Sequence, residues 1–294
     1  MNHTLHGSFT HSFKIHSLHI IALTHYRIIM TTEFKDKNYW AIILGGSSGL
    51  GLASAKKLAD LGLNICIVHR DRKSTLLAIE EGFDEIKTKN IDFLSFNIDA
   101  LKSEKRTEII NHLKEKLGAT GKVKVLVHSI AKGNLKPMIS DEKPTLKNDD
   151  FHLTIDAMAI SLYDWVRHLF SEKTFADDTR IISFTSEGNQ KAWENYAAVS
   201  AAKAALEAIS RNIALEFAPF GIRANCIQAG VTDTTSFRMI PDSETLKAHS
   251  LLRNPSNRLT TPEDVANVVA LLCLKEAFWI NGAIIPVDGG EHIR

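Results

Sequence analysis

The sequence predicts one α/β domain built on a doubly wound parallel sheet. Three observations carry that expectation. Short apolar strands alternate with longer helical stretches from Tyr39 to the end of the chain, and such alternation produces a parallel sheet covered on both faces. A glycine-rich turn, Gly45-Gly46-Ser47-Ser48-Gly49-Leu50-Gly51, lies between the first strand and the first helix. No repeat, linker or low-complexity tract divides residues 37–294. A length of 294 residues suits one such domain with an extension.

The elements follow in order. Trp40–Leu44 is a short apolar strand. The glycine turn leads into a helix from about Leu50 to Leu61. Asn64–Val68 is the second strand, and the charged stretch 71–90 reads as helix and loop. Phe93–Ile98 is the third strand, followed by a helix over Glu104–Leu117. Val123–His128 is the fourth strand. A long helix is expected over Phe151–Phe170, a strand over Arg180–Phe184 and a second long helix over Glu194–Phe217. Ile222–Ile227, the helix Pro262–Leu274 and the strand Ala283–Val287 complete a seven-stranded sheet.

Composition narrows the function classes. Hydrophobic residues make up 44% and charged residues 23%, and the formal net charge is +1. That balance offers no electrostatic attraction to nucleic acid or to an anionic membrane. No apolar run approaches the roughly 18 residues of a membrane span. Cys66, Cys226 and Cys273 each have an apolar neighbour and form no CxxC pair. They read as buried, reduced thiols, and a cytoplasmic protein is expected. Residues 1–36 hold six of the thirteen histidines and no acidic residue before Glu33. Their spacing fits no metal-ligand pattern, signal peptide or transit peptide. They read as a poorly ordered extension, with Met30 as an alternative translation start, and no metal site is expected.

The glycine turn is suited to a pyrophosphate. Glycines let the backbone turn tightly and let an anion approach the unpaired N–H groups at the helix N-terminus. The preceding strand, following helix and crossover to strand two give the context such a site needs. Gly45, Ser47, Ser48, Gly49, Leu50 and Gly51 are therefore candidate cofactor ligands. The second strand ends in His69-Arg70-Asp71-Arg72-Lys73. An acidic residue there accepts from a ribose 2′-hydroxyl, whereas an arginine pairs with a 2′-phosphate. Arg70 favours NADPH, and Asp71 keeps NADH possible.

The second long helix carries Tyr196 and Lys203. Seven residues at ~100° each come nearly full circle, which places the two on one face, two turns apart. A lysine ammonium near a phenol lowers its pKa and suits it to protonate or stabilise an oxygen anion. Alanines between the two allow a close approach.

These residues carry a family resemblance over roughly 39–290. The turn G-x-x-x-G-x-G with the tyrosine–lysine pair resembles the short-chain dehydrogenase/reductases, which share a Rossmann-type fold. Members ordinarily space the pair Y-x-x-x-K, which would put the tyrosine at Val199; here it stands one turn earlier, as Y-x6-K. That spacing resembles the enoyl-[acyl-carrier-protein] reductases, as does His128-Ser129-Ile130 after strand four. Thr154-Ile155-Asp156 stands where ordinary members carry a catalytic asparagine. Glu194-Asn195-Tyr196 and Ala229-Gly230-Val231-Thr232-Asp233-Thr234 are most similar to the NADPH-using type III form. Many enoyl reductases carry a second tyrosine ten residues before the first; here that position is Ser186, whose hydroxyl either meets a thioester oxygen or merely ends its strand. His128 reads as a structural histidine, with an acid–base role as the alternative.

The resemblance implies Tyr196, Lys203 and Ser186 as catalytic residues. It adds Asn97, Ile98, Ser129, Ile130, Ala131, Gly230, Thr232 and Thr234 to the cofactor ligands. It implies NADPH-dependent reduction of a trans-2-enoyl thioester, on acyl carrier protein or coenzyme A, in fatty acid synthesis. The segment 232–261, with Phe237, Met239, Ile240, Leu246, Leu251 and Leu252, would cover the acyl chain. A homotetramer, with a dimer as the alternative, is expected through the helices 151–170 and 194–217. The alternatives are a 3-oxoacyl carrier-protein reductase or other short-chain carbonyl or alcohol dehydrogenase, and, further off, a non-catalytic dinucleotide sensor.

Overall fold

The computed structural model describes residues 33–294 and contains seven strands. They are β1 (Tyr39–Leu44), β2 (Asn64–His69), β3 (Phe93–Asn97), β4 (Lys122–His128), β5 (Phe175–Thr185), β6 (Ile222–Ala229) and β7 (Ile284–Val287). All pair in parallel, in the order β3-β2-β1-β4-β5-β6-β7. The strand order reverses beside β1, between its neighbours β2 and β4. In open α/β sheets a crevice forms at the C-terminal ends of the strands at such a reversal, and ligands bind there.

The helices are α1 (Gly49–Asp60), α2 (Leu76–Lys87), α3 (Ser103–Leu117), α4 (Asn148–Ile155), α5 (Ser161–Ser171), α6 (Ala197–Glu216), α7 (Thr235–Arg238), α8 (Ser243–Arg253) and α9 (Pro262–Cys273). Two apolar layers hold them to the sheet. Ile43, Ile67 and Val127 point to one side and pack against Leu58 of α1, Phe83 of α2 and Val269 of α9. Ile42, Val68 and Leu126 point to the other and meet Ile110 of α3, Trp165 of α5 and Leu206 of α6. Alternate residues of each strand thus serve opposite faces, as the period of two requires. Cys66, Cys226 and Cys273 are all buried and unpaired.

Three elements differ from expectation. Strand β5 begins at Phe175, five residues before the expected start, and includes Asp177 and Asp178. The Lys124 ammonium, 2.6 Å from the Asp178 carboxylate, and the Arg180 guanidinium neutralise Asp178, so a charged stretch lies within the sheet. The helix expected over 151–170 is interrupted by a π-helical turn at Asp156–Ile160. A π turn inserts an extra residue that 3.6-residue periodicity does not register, and such turns are frequent at functional sites. The segment 232–261 forms α7 and α8; of its apolar residues, Phe237 is buried while Leu252 faces solvent.

The extension expected over 1–36 lies outside the described residues as far as position 32, as does Met30. Residues 33–38 form a turn in which Phe34 is buried and its N–H donates to Leu61 O at 2.9 Å. Among the described residues no helix is long and apolar enough to cross a membrane.

Candidate active site

The glycine turn is packed too tightly for side chains at two of its positions. Gly45 has φ +80°, and a Cβ added there would lie 2.5 Å from Ser129 O. One added to Gly51 would lie 2.3 Å from Gly45 O. Neither position accepts a side chain, so the loop folds back on the start of α1. The N-cap of α1 is Ser48, whose side chain makes no capping hydrogen bond, and the first turn carries no acidic residue. The free N–H groups and the positive helix end therefore face the crevice unneutralised, which fits the phosphates of a dinucleotide. Ser129 crosses the turn from β4, its N–H donating to Leu44 O at 2.8 Å. Ile130 packs on the sheet layer beneath.

Just after β2, the Asp71 carboxylate lies 2.8 Å from His69 Nδ1. Asn97 grips the same residue's backbone: Asp71 N donates to its Oδ1 at 2.8 Å and its Nδ2 donates to Asp71 O at 3.1 Å. Asn97 thereby shapes the loop end, and Ile98 packs beneath it against the apolar layer. The Arg70 guanidinium is largely exposed and pairs with Asp99 at 2.7 Å.

A cavity of about 180 Å³ opens beside the crevice. Of the expected site residues, Leu50, Ala131, Ser186, Tyr196, Lys203, Gly230, Thr232 and Thr234 line it. Tyr196 stands at the N-cap of α6, ahead of the helix on which it was expected. Its Oη lies 3.5 Å from Ser186 Oγ, a long contact, and its ring packs on Trp193 with centroids 5.0 Å apart. Lys203 is buried and donates to Phe184 O at 2.7 Å. Burial brings its ammonium down to about 8.

The expected effect of the lysine on the phenol is corrected by this arrangement. Burial pushes the Tyr196 pKa up, and only the Ser186 contact pulls it down. Lys203 directs its charge at the strand-end carbonyl, so the phenol stays protonated and serves as a hydrogen-bond donor.

The segment that replaces the family's asparagine presents an apolar face to the cavity. Asp156 is exposed, while Thr154 and Met158 share the inner face. Residues four apart lie on one side of a helix, and the residue midway lies on the other. Met158 lines the cavity and Asp156 does not. Val199, one turn after Tyr196, lines it as well, so an apolar wall occupies the space beside the phenol.

His128 is 1% exposed and holds β4 to α5 through Ser161 Oγ at 2.8 Å. The Ser161 hydroxyl donates to Ala157 O at 2.8 Å, which makes the imidazole the donor of that pair. Burial first, and the charge of Lys203 second, depress its pKa to about 3. It is neutral at ordinary pH, in agreement with the structural reading.

Several lining residues were not found by sequence reasoning. Glu187, Asp288 and Glu291 bring carboxylates to the cavity rim. Arg253, at the end of α8, lies 2.7 Å from both Glu187 and Glu291, joining lid, strand-end loop and C-terminal tail. No local motif announces such a triad, because Glu187 lies 66 residues before Arg253 and Glu291 lies 38 residues after it.

A glycine cradle at the sheet's switch point, facing a buried lysine and a donor tyrosine, defines a nicotinamide-dependent oxidoreductase of the short-chain dehydrogenase/reductase class. The chain belongs to the family described as Enoyl-(Acyl carrier protein) reductase, whose model matches residues 45–292. It is 29% identical over 255 residues to a Bacillus subtilis protein named probable 2,4-dienoyl-CoA reductase, (2E)-enoyl-CoA-producing, covering 86% of this chain and 96% of that one. It is also 29% identical over 266 residues to a tropinone reductase homolog of Arabidopsis thaliana, covering 90% and 98%. The fold is similar to the crystal structure of enoyl-[acyl-carrier-protein] reductase (NADH) from Aquifex aeolicus. There the TM-score is 0.76 at 25% identity, with 89% of this chain and 98% of that chain covered.

Proposed function

We propose that the protein reduces the carbon–carbon double bond of a trans-2-enoyl thioester with NADPH, as a step of fatty acid synthesis. The observation that carries this reading is the placement of the phenol: Tyr196 lies at the N-cap of α6, and Val199 takes the wall position one turn later. NADPH, when bound, would supply the hydride for the β-carbon. Charge would then develop on the thioester oxygen, and solvent would supply the proton of the α-carbon.

The protein's part is to hold and stabilise. Tyr196, kept protonated by burial, donates to the oxygen on which charge develops. An oriented donor of this kind is typically worth ~3–4 kcal/mol. Ser186 Oγ, 3.5 Å from the phenol oxygen, receives its single proton in this structure and would give way to the thioester oxygen when substrate binds. Lys203 would hold the nicotinamide ribose and supply positive charge below its pKa of about 8. The wall of Met158 and Val199, with Phe237 from the lid, excludes water around an acyl chain. Arg70 would receive the 2′-phosphate in exchange for Asp99.

The Bacillus subtilis relative supports this reading, since a 2,4-dienoyl-CoA is likewise a conjugated thioester. The tropinone reductase homologs favour a second reading, reduction of a carbonyl. Tyr196→Phe separates donation from binding. It should lower turnover of crotonyl-CoA by a factor of order 10²–10³ with little change in NADPH affinity. Unchanged turnover would remove Tyr196 from the reaction.

A further inference from the structure

Glu207 is a buried carboxylate to which the proposed reaction gives no role. It stands on α6 one turn beyond Lys203 and is 6% exposed. Its Oε1 accepts from the Thr185 hydroxyl at 2.5 Å and also from the Asn189 side-chain amide. Asn189 Oδ1 is buried without a partner, so the amide is held by its NH2 end, at Glu207. Lys203, on the same helix face, holds Phe184 O. Helix α6 therefore grips the segment leaving β5 at three points: Phe184, Thr185 and Asn189.

The turn between those grips carries what touches Tyr196. Ser186 Oγ accepts from Gly188 N at 3.2 Å and faces the phenol. Gly188 lies against the tyrosine ring so closely that an added Cβ would be 2.6 Å from Cε1. Burying a carboxylate is costly unless its hydrogen bonds are complete, and removing one partner leaves a fixed geometry unsupported. Here that geometry ends at the Tyr196 hydroxyl.

We propose that Glu207 is a positioning residue, which sets the Tyr196 hydroxyl by pinning both ends of the Thr185–Asn189 turn. The inference rests on the reading of Tyr196 as the donor to the developing oxyanion. A displacement of about 1 Å in such a group costs of order 10²-fold in rate.

The test is a double-mutant cycle. Glu207→Ala, Glu207→Gln, Thr185→Val and Asn189→Ala are each made in the wild-type and Tyr196→Phe backgrounds. Each is assayed for kcat and KM with crotonyl-CoA and NADPH, for NADPH Kd by fluorescence, and for Tm. Glu207→Ala should lower kcat by about 10- to 100-fold while leaving the Kd for NADPH nearly unchanged. Glu207→Gln, which retains an acceptor oxygen, should recover most of the rate. Thr185→Val and Asn189→Ala, each removing one grip, should give partial losses even if Glu207→Ala fails to fold. In the Tyr196→Phe background all these losses should vanish, because the group being positioned is gone. Losses that persist unchanged in that background, or a lowered Tm with unchanged kcat, would overturn the proposal. If Tyr196→Phe alone leaves kcat intact, the donor reading fails and this inference falls with it. Additivity despite a damaging Tyr196→Phe refutes only the role of Glu207.

Discussion

The Tyr196 hydroxyl meets Ser186 rather than a cation, with its Oη 3.5 Å from Ser186 Oγ. The nearby ammonium of Lys203 is committed to the Phe184 carbonyl instead. The two residues are therefore separately engaged: a neutral phenol at Ser186 and a titratable charge at the strand end.

That separation predicts a pH dependence. Burial holds the Lys203 pKa at about 8, below the ordinary 10.5. The charge is complete well below pH 8 and is lost as pH rises through it. Between those two values the unfolded chain binds more protons than the folded one, so the cost of burying this lysine diminishes as pH rises. Cofactor capture should weaken over the same range. The kcat/KM for NADPH should fall above about pH 8 in the wild type, and Lys203→Arg should remove that inflection. A wild-type profile flat to pH 10 would contradict the assignment.

The proposed preference for NADPH rests on Arg70. Its guanidinium is paired with Asp99, and the Asp71 carboxylate is occupied by His69. Arg70→Ala should raise the KM for NADPH by about 10- to 100-fold, corresponding to the ~1.5–3 kcal/mol of a charged hydrogen bond. The KM for NADH should hardly change. Equal effects on both cofactors would show that Arg70 does not read the 2′-phosphate.

Much of this was legible in the sequence. The strands β1, β2 and β4 announce themselves as apolar runs because both of their faces are covered. The glycines of the first turn are required by backbone contacts that admit no Cβ, so the motif and its geometry are one fact. What lay hidden depends on distant partners. Asp177 and Asp178 read as loop because the neutralising Lys124 is more than 50 residues away. The π turn at Asp156–Ile160 carries no residue signature, so the inward placement of Met158 beside Tyr196 could not be read from the sequence. The direction of the Lys203 charge was likewise invisible, since proximity along a helix does not say which carbonyl an ammonium will meet.

We propose that an apolar face carries assembly. Ile160 and Tyr163, each 42% exposed, border a groove with Ile209 and Ile213 on α6 and Phe217 just after it. A second copy of the chain would cover it, and a homotetramer is the expected state. Sedimentation should report a tetramer for the wild type, and Ile160→Asp with Tyr163→Asp should give smaller species. A wild-type monomer at micromolar concentration would refute this.

The central claim concerns which bond is reduced. Comparing kcat/KM for crotonyl-CoA and acetoacetyl-CoA under the same NADPH-oxidation assay, with product identification, tests it most directly. The placement of Tyr196, Val199 and Met158 predicts efficient conversion of crotonyl-CoA to butyryl-CoA and little turnover of acetoacetyl-CoA. Rapid reduction of acetoacetyl-CoA with none of crotonyl-CoA would contradict it and make the protein a ketoreductase.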